Sequence, residues 1–201
     1  MDIIHVCIPF SNKFIKIVSD TIEQYRPGLV IIHSTVEAGT TKKLFKMHPC
    51  VTHSPCRGVH PNLHEGIKTF VKFVGCEDQG LGLAAEVYLD TLGIKAKYVG
   101  KSINTELGKL LDTTYYGVAI AFHGYASKIC KKYKADFDIV MTEFNETYNH
   151  GYQRLGKENV IRPVLYAPKG KIGGHCVREN SIILKRQNGN HNLLDAILNT
   201  K

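Results

Sequence analysis

No apolar run in this sequence approaches the ~18 residues that a membrane-spanning helix needs. Acids are in short supply, with 18 Asp and Glu against 26 Lys and Arg and a formal charge of +8. That balance favours anionic partners such as nucleotides, phosphates or nucleic acid. The basic residues are dispersed, however, and cluster only at Lys42-Lys43 and Lys131-Lys132-Tyr133-Lys134. No basic arm and no aromatic RNA-binding signature accompany them, which argues against nucleic acid. Internal repeats and low-complexity tracts are also lacking. Met1 to Phe10 is too short, and too acidic at Asp2, for a signal peptide, so the expected location is cytoplasmic. The 6 cysteines are even in number, but a cytoplasmic chain of 201 residues does not need disulfide staples. Cys7, Cys76 and Cys130 lie in apolar patterns and are expected to be buried thiols.

What is present is organised around one stretch, Asn104 to Tyr133. Apolar residues recur there at Leu107, Leu111, Tyr115, Val118, Phe122, Tyr125, Ile129 and Tyr133, the spacing of an amphipathic helix. Asn104 is the expected N-cap, with Glu106 as a first-turn acid. Gly117 and Gly124 fall on one face, where a second backbone can approach closely. The stretch is either a buried core helix or a subunit interface.

Before it, short apolar runs alternate with helical patterns. Ile3–Pro9, Leu29–Ile32, Phe70–Val74 and Ile94–Val99 read as buried strands. Ser11–Tyr25, Thr40–Met47 and Leu83–Leu92 read as helices. Such alternation predicts a parallel sheet with helices on its faces. After the long helix, Phe137–Thr147 continues as helix and Asn149–Ile172 as ordered loop. Ser181–Lys185 is one helical turn, and Leu193–Leu198 a terminal helix.

Three segments are candidates for chemistry. Gly80-Leu-Gly-Leu-Ala-Ala85 matches G-x-G-x-x-A between a strand and a helix, the place for a dinucleotide pyrophosphate. Glu77 and Asp78 beside it would repel phosphate, and no acid ends the next strand, so the match reads as a decoy. His48, Cys50, His53, Cys56, His60 and His64 have ligands that suit zinc, but not the spacing of paired knuckles. In Gly173-Gly174-His175-Cys176 the glycines permit close backbone approach. The cysteine, with Lys171 and Arg178 nearby, is either a plain loop residue or a reactive thiol.

Taken together, four segments in register resemble the UDP-glucose/GDP-mannose dehydrogenases. Gly173-Gly174-His175-Cys176 is similar to that family's catalytic-cysteine loop. Ile31-Ile-His-Ser-Thr-Val36 with Gly39-Thr40-Thr41 is similar to its S-T-V…G-T loop. Ser54-Pro55-Cys56-Arg57 with Pro61-Asn62 is similar to its S-P-E-R…G-N loop. Glu106-Leu-Gly-Lys109-Leu is similar to the start of its central helix.

The resemblance implies a fold and a chemistry. The fold is α/β, a truncated Rossmann-like parallel sheet over residues 1–100. An all-α domain built on the long central helix follows over 101–201, and it carries dimerisation and the cysteine loop. The implied chemistry is oxidation of a nucleotide-sugar C6 alcohol to a carboxylate with NAD, through a thiohemiacetal and a thioester on a cysteine. By match Cys176 is the nucleophile, Lys109 stabilises the oxyanion, and Thr35 sits by the nicotinamide and reacting water. Pro9, Ser34 and Thr35 line the cofactor side, and Arg57, Gly173 and Gly174 the substrate side. The histidine and cysteine segment then has an explanation as the substrate-side loop, and no metal is expected. The implied partners are a nucleotide sugar and a second copy of the chain along the long helix.

The sequence also departs from the pattern. The family's Gly-rich fingerprint and ribose-binding acid, expected ahead of Ile3, are not found. Cys56 stands for a glutamate, Thr113 for an asparagine and Asn180 for an aspartate. The alternative to a dehydrogenase is therefore a non-catalytic, dimeric nucleotide-sugar-binding module.

Overall fold

A computed structural model describes residues 2–58, 62–172 and 175–200, with the His175 side chain excepted. The chain divides into two compact units, Met1–Leu111 and Asp112–Lys201.

The first unit is built on short parallel strands, the central one wholly apolar. β1 (Ile3–Val6), β2 (Leu29–Ile32) and β3 (Val51–His53) form a parallel sheet in that order, with Val6 level with Ile32 and Ile32 level with His53. All four residues of β2 are buried, as a central strand covered on both faces must be. β4 (Lys72–Val74) and β5 (Ala96–Tyr98) form a second parallel pair. It is tied to β3 by the reciprocal backbone bonds of His53 and Gly75. α1 (Phe14–Tyr25) and α2 (Thr40–Met47) cover one face of β2, where Phe14, Val18, Ile22 and Leu44 pack with Val30 and Ile32. A short α3 (Leu63–Thr69) precedes β4. α4 (Gln79–Thr91) covers the other face through Ala85 and Leu89, against Leu29 and Ile31.

Several sequence expectations are corrected here. The third strand in the chain is Val51–His53, so Phe70–Val74 becomes the fourth and shortens to Lys72–Val74. Val51–His53 is only 3 residues long and two of them are polar, which hides it from a hydrophobic pattern. α1 starts at Phe14 and not at Ser11, after Lys13 and without a side-chain cap. Cys7 is exposed, because β1 ends at Val6 and the chain leaves the sheet there. Cys76 and Cys130 are buried as expected.

The second unit is helical. α5 (Ser102–Tyr133) runs into it from the first unit. It begins two residues before Asn104, so Asn104 is no cap; its side-chain amide donates to the Val99 carbonyl at 2.8 Å. Asp138–Glu143 makes a wider π turn that opens into α6 (Phe144–Arg154). α7 (His175–Asn188) and α8 (Asn192–Leu198) complete the unit. α7 is thus fourteen residues where the sequence suggested a single turn at Ser181–Lys185. Among the described residues no helix is long and apolar enough to cross a membrane.

The two helix glycines have a role inside the chain. A Cβ on Gly117 would lie 2.6 Å from Val177 and 3.0 Å from Ile197, and one on Gly124 would lie 3.1 Å from Pro168. They admit neighbours of the same unit, as the core-helix alternative expects. Gly108, by contrast, has open space where a Cβ would go. Gly117→Ala should therefore destabilise the chain by about 1–3 kcal/mol through overpacking. Gly108→Ala should stabilise it by about 0.5–1 kcal/mol through helix propensity. Urea unfolding of both variants measures the two signs.

Candidate functional site

In a parallel sheet the carboxyl ends of the strands share one edge, and loops leaving that edge form the usual ligand crevice. Here β1 leads to Cys7-Ile8-Pro9, β2 to His33-Ser34-Thr35, and β3 to Ser54-Pro55-Cys56-Arg57. Hydrogen bonds lock these loops together. The Ser34 hydroxyl donates to the Ile8 carbonyl at 2.6 Å, and the Cys56 amide donates to the His33 carbonyl at 3.1 Å. His53 is wholly buried, with Nε2 3.1 Å from the Ser34 carbonyl and Nδ1 2.7 Å from the Thr105 hydroxyl.

The start of α5 closes the same edge. Glu106 is fully buried, and its carboxylate accepts from the amides of Gly39 at 2.6 Å and Thr41 at 2.7 Å. The acid thus caps the N-terminus of α2 and not the helix it belongs to. Burial pushes its pKa up, although the Thr41 and Gly39 amides pull the other way. One turn on, Lys109 is half-buried on the same helix.

A second buried charge lies on the β3 side. Lys72, at the start of β4, sends its Nζ to the carbonyls of Ser54 at 2.8 Å and Pro55 at 3.3 Å, with Cys56 Sγ at 4.0 Å. Its only signal in the sequence is a lysine inside an apolar strand pattern. His5 and His33 stack at 5.1 Å, with Nδ1 of His5 2.8 Å from Nε2 of His33. Nε2 of His5 lies 3.0 Å from the Tyr88 hydroxyl, and Nδ1 of His33 3.0 Å from the Ser54 carbonyl. Burial and the nearby Lys72 charge hold both histidines below the ordinary value, His33 at about 3. Burial likewise lowers His53 to about 4.

The predicted residues fall as follows. Thr35 and Ser34 are half-buried at the end of β2, and Pro9 is exposed beyond β1. The Arg57 guanidinium lies over the rings of Phe70 and Phe73 at 5.6 and 5.4 Å and donates to the Val71 carbonyl at 3.4 Å. Cys176 is exposed in the first turn of α7, in the second unit. Asn180, one turn later, is buried, and its side-chain nitrogen has no partner among the described residues. Gly173 and Gly174 lie outside the described residues, as do His60 and Pro61. Among the described residues no three His, Cys, Asp or Glu side chains converge as a metal site would require. His48, from that segment, pairs instead with the Ser19 hydroxyl at 2.6 Å.

The glycine-rich match does not fit a pyrophosphate. Gly80 and Gly82 lie inside the first turn of α4, and the Asp78 carboxylate already accepts from the Leu81 amide at 2.7 Å. The space a Cβ on Gly82 would need is filled by the Tyr98 ring. The helix N-terminus is thus occupied by an acid of the chain itself.

This is the carboxyl edge of a parallel α/β sheet, and known proteins share its fold. No family model matches the sequence. The UDP-N-acetyl-D-mannosamine dehydrogenase of Methanocaldococcus jannaschii is 26% identical over 176 residues, 85% of this chain and 38% of that protein. The structure of a UDP-D-ManNAc dehydrogenase from Pyrococcus horikoshii superposes with a TM-score of 0.77 at 17% identity, covering 98% of this chain and 49% of that one. The fold is also that of the 3-hydroxyisobutyrate dehydrogenase of Mycobacterium tuberculosis, with a TM-score of 0.71, 14% identity, and 98% and 72% coverage. The resemblance to nucleotide-sugar dehydrogenases therefore holds in sequence and in fold. The chain spans about two fifths of the length of the curated relative it matches.

The buried histidines set an acid limit. Their folded pKa values lie below the ordinary 6.5, so the unfolded chain binds more protons between about 4 and 6.5. Stability should rise with pH through that window and be lost as pH falls through it. Each fully differential proton contributes about 1.4 kcal/mol per pH unit. Urea midpoints measured from pH 7 to pH 4 should fall, with a shallower slope in His53→Gln.

Proposed function

We propose that this chain is a nucleotide-sugar dehydrogenase-like protein whose β2–β3–α5 edge takes part in binding a nucleotide sugar. One observation carries the reading. Three of the four family-like segments meet in the first unit: Glu106, of the lysine-bearing segment, bonds to Gly39 and Thr41, and His53 and Cys56 bond to Ser34 and His33. The net charge of +8 suits a nucleoside-diphosphate ligand. In this reading Lys109 supplies fixed positive charge for an oxyanion. Cys176 is the nucleophile, Thr35 lies beside the reacting group, and Arg57, Gly173 and Gly174 line the substrate. Pro9, Ser34 and Thr35 belong to the nicotinamide side of an NAD site.

The described residues do not supply the pyrophosphate cradle of that NAD site, since α4 is capped by Asp78 and filled at Gly82 by Tyr98. That observation favours a second reading, a non-catalytic nucleotide-sugar-binding module. The replacements at Cys56, Thr113 and Asn180 point the same way. Isothermal titration separates the readings. UDP-glucose or GDP-mannose should bind, and NAD⁺ should bind weakly or not at all. Absence of binding by any nucleotide sugar overturns the function proposed, whereas micromolar NAD⁺ binding overturns the second reading.

The proposed partner is a second copy of the chain, joined along α5. The helix turns its small residues inward, with Ala121, Ala126 and Cys130 buried. Tyr115, Phe122, Tyr125 and Tyr133 on the same helix are left 56–70% exposed. An aromatic stripe of that length is an interaction surface. Light scattering should give a dimer for the native chain and a shift toward monomer for Tyr115→Asp combined with Tyr125→Asp. A native monomer would sink the dimer.

A further inference from the structure

Lys72 is 4% exposed, yet no Asp or Glu of the described residues forms an ion pair with it. Its Nζ faces three acceptors: the Ser54 carbonyl at 2.8 Å, the Pro55 carbonyl at 3.3 Å and Cys56 Sγ at 4.0 Å. Three acceptors match the three N–H donors of an ammonium, whereas a neutral amine has two. Burial pushes the Lys72 pKa down, and the thiols of Cys56 and Cys7 push it back up, with Lys109 opposing. A buried cation is costly unless it is paired. The groups here that can carry the balancing charge are thiols, and Cys56 is the one in contact. It is also half-buried, so solutes reach it.

We propose that Cys56 and Lys72 form a thiolate–ammonium pair, a modification site for electrophiles that a thiolate attacks, hydroperoxides among them. The pair lies wholly in the first unit and does not depend on the nucleotide-sugar reading. With a hydroperoxide, the Cys56 sulfur attacks the terminal oxygen, an S–O bond forms and the O–O bond breaks. The sulfur loses two electrons to become a sulfenic acid, the peroxide is reduced, and the other oxygen leaves as hydroxide or alkoxide. Lys72 keeps its proton throughout. With iodoacetamide, a C–S bond forms and iodide leaves.

The other groups near the pair stay quiet in the relevant pH range. His33 and His53 are held near 3 and 4, and His5 below 6.5, so all three are neutral above that pH. Cys7 is raised above the ordinary thiol value by burial and by Cys56. Cys50 is an internal control: it is half-buried too, with no lysine contact, and burial raises its thiol pKa.

The test is substoichiometric iodoacetamide labelling of the reduced full chain between pH 6.5 and 9, each cysteine resolved by mass spectrometry. Cys56 should react about tenfold faster than Cys50 at pH 7. Lys72→Met should bring Cys56 to the rate of Cys50, and Lys72→Arg should keep it fast. Hydrogen peroxide followed by dimedone should tag Cys56 ahead of Cys50. Equal rates for the two cysteines, indifference of Cys56 to Lys72→Met, or dimedone tagging no greater than at Cys50 overturns the assignment. If Lys72→Met fails to fold, the native chain decides, and Cys56 labelling at pH 7 no faster than Cys50 overturns it.

Discussion

A single buried carboxylate holds the sheet edge in its working shape. Glu106 accepts the Gly39 and Thr41 amides, two of the donors that the first turn of α2 leaves without partners. The positive end of that helix faces the negative group, so the cap and the helix dipole act together. Because Glu106 belongs to α5, the bond also fixes where the long helix starts relative to β2. Thr105, next to it, bonds His53, and a Cβ on Gly75 would fall 2.6 Å from the Thr105 hydroxyl. The close approach of α5 to β3 and to the end of β4 thus depends on a glycine with no side chain at Gly75. Removing the carboxylate would leave two amides unpaired in a dry site, the costly kind of loss.

Around that clamp the chain concentrates polar groups where burial is deepest. His33 and His53 are kept neutral by burial, and the Lys72 charge reinforces this. The same burial leaves Lys72 dependent on carbonyls and on a sulfur for its stabilisation.

Most of the layered core was legible in the sequence, because its signals are local. β2 and α2 have the limits read from their patterns, and α5 differs by two residues at its start. What escaped depends on tertiary contacts. Val51-Thr52-His53 is a strand only because β2 and Gly75 pair with it, and its histidine suggested a metal ligand when its partners are Ser34 and Thr105. Glu106 looked like the first-turn acid of its own helix, since sequence cannot show an acid capping a helix 65 residues earlier. The first turns of α7 were missed because Arg178, Glu179 and Asn180 obscure its apolar spacing. Gly117 and Gly124 were correctly placed on one face, but nothing in their spacing could tell a neighbour in the same chain from one in another.

The contrast between the glycine-rich match and the four family-like segments shows which kind of pattern carries information. Gly80 and Gly82 satisfy a motif, yet the residues around them spend both features the motif exists to provide. Asp78 takes the helix N-terminus, and Tyr98 takes the glycine's space. The segments around Thr35, Cys56 and Lys109 are individually weak and carry substitutions, yet all three converge through hydrogen bonds 22 to 67 residues apart in sequence. A short motif can arise by composition alone, whereas order along the chain combined with convergence in space requires the fold. Cys56 illustrates the difference. Its amide bonds to the His33 carbonyl at the end of β2 while its thiol lies 4.0 Å from the Lys72 ammonium, contacts that the fold and not a motif supplies.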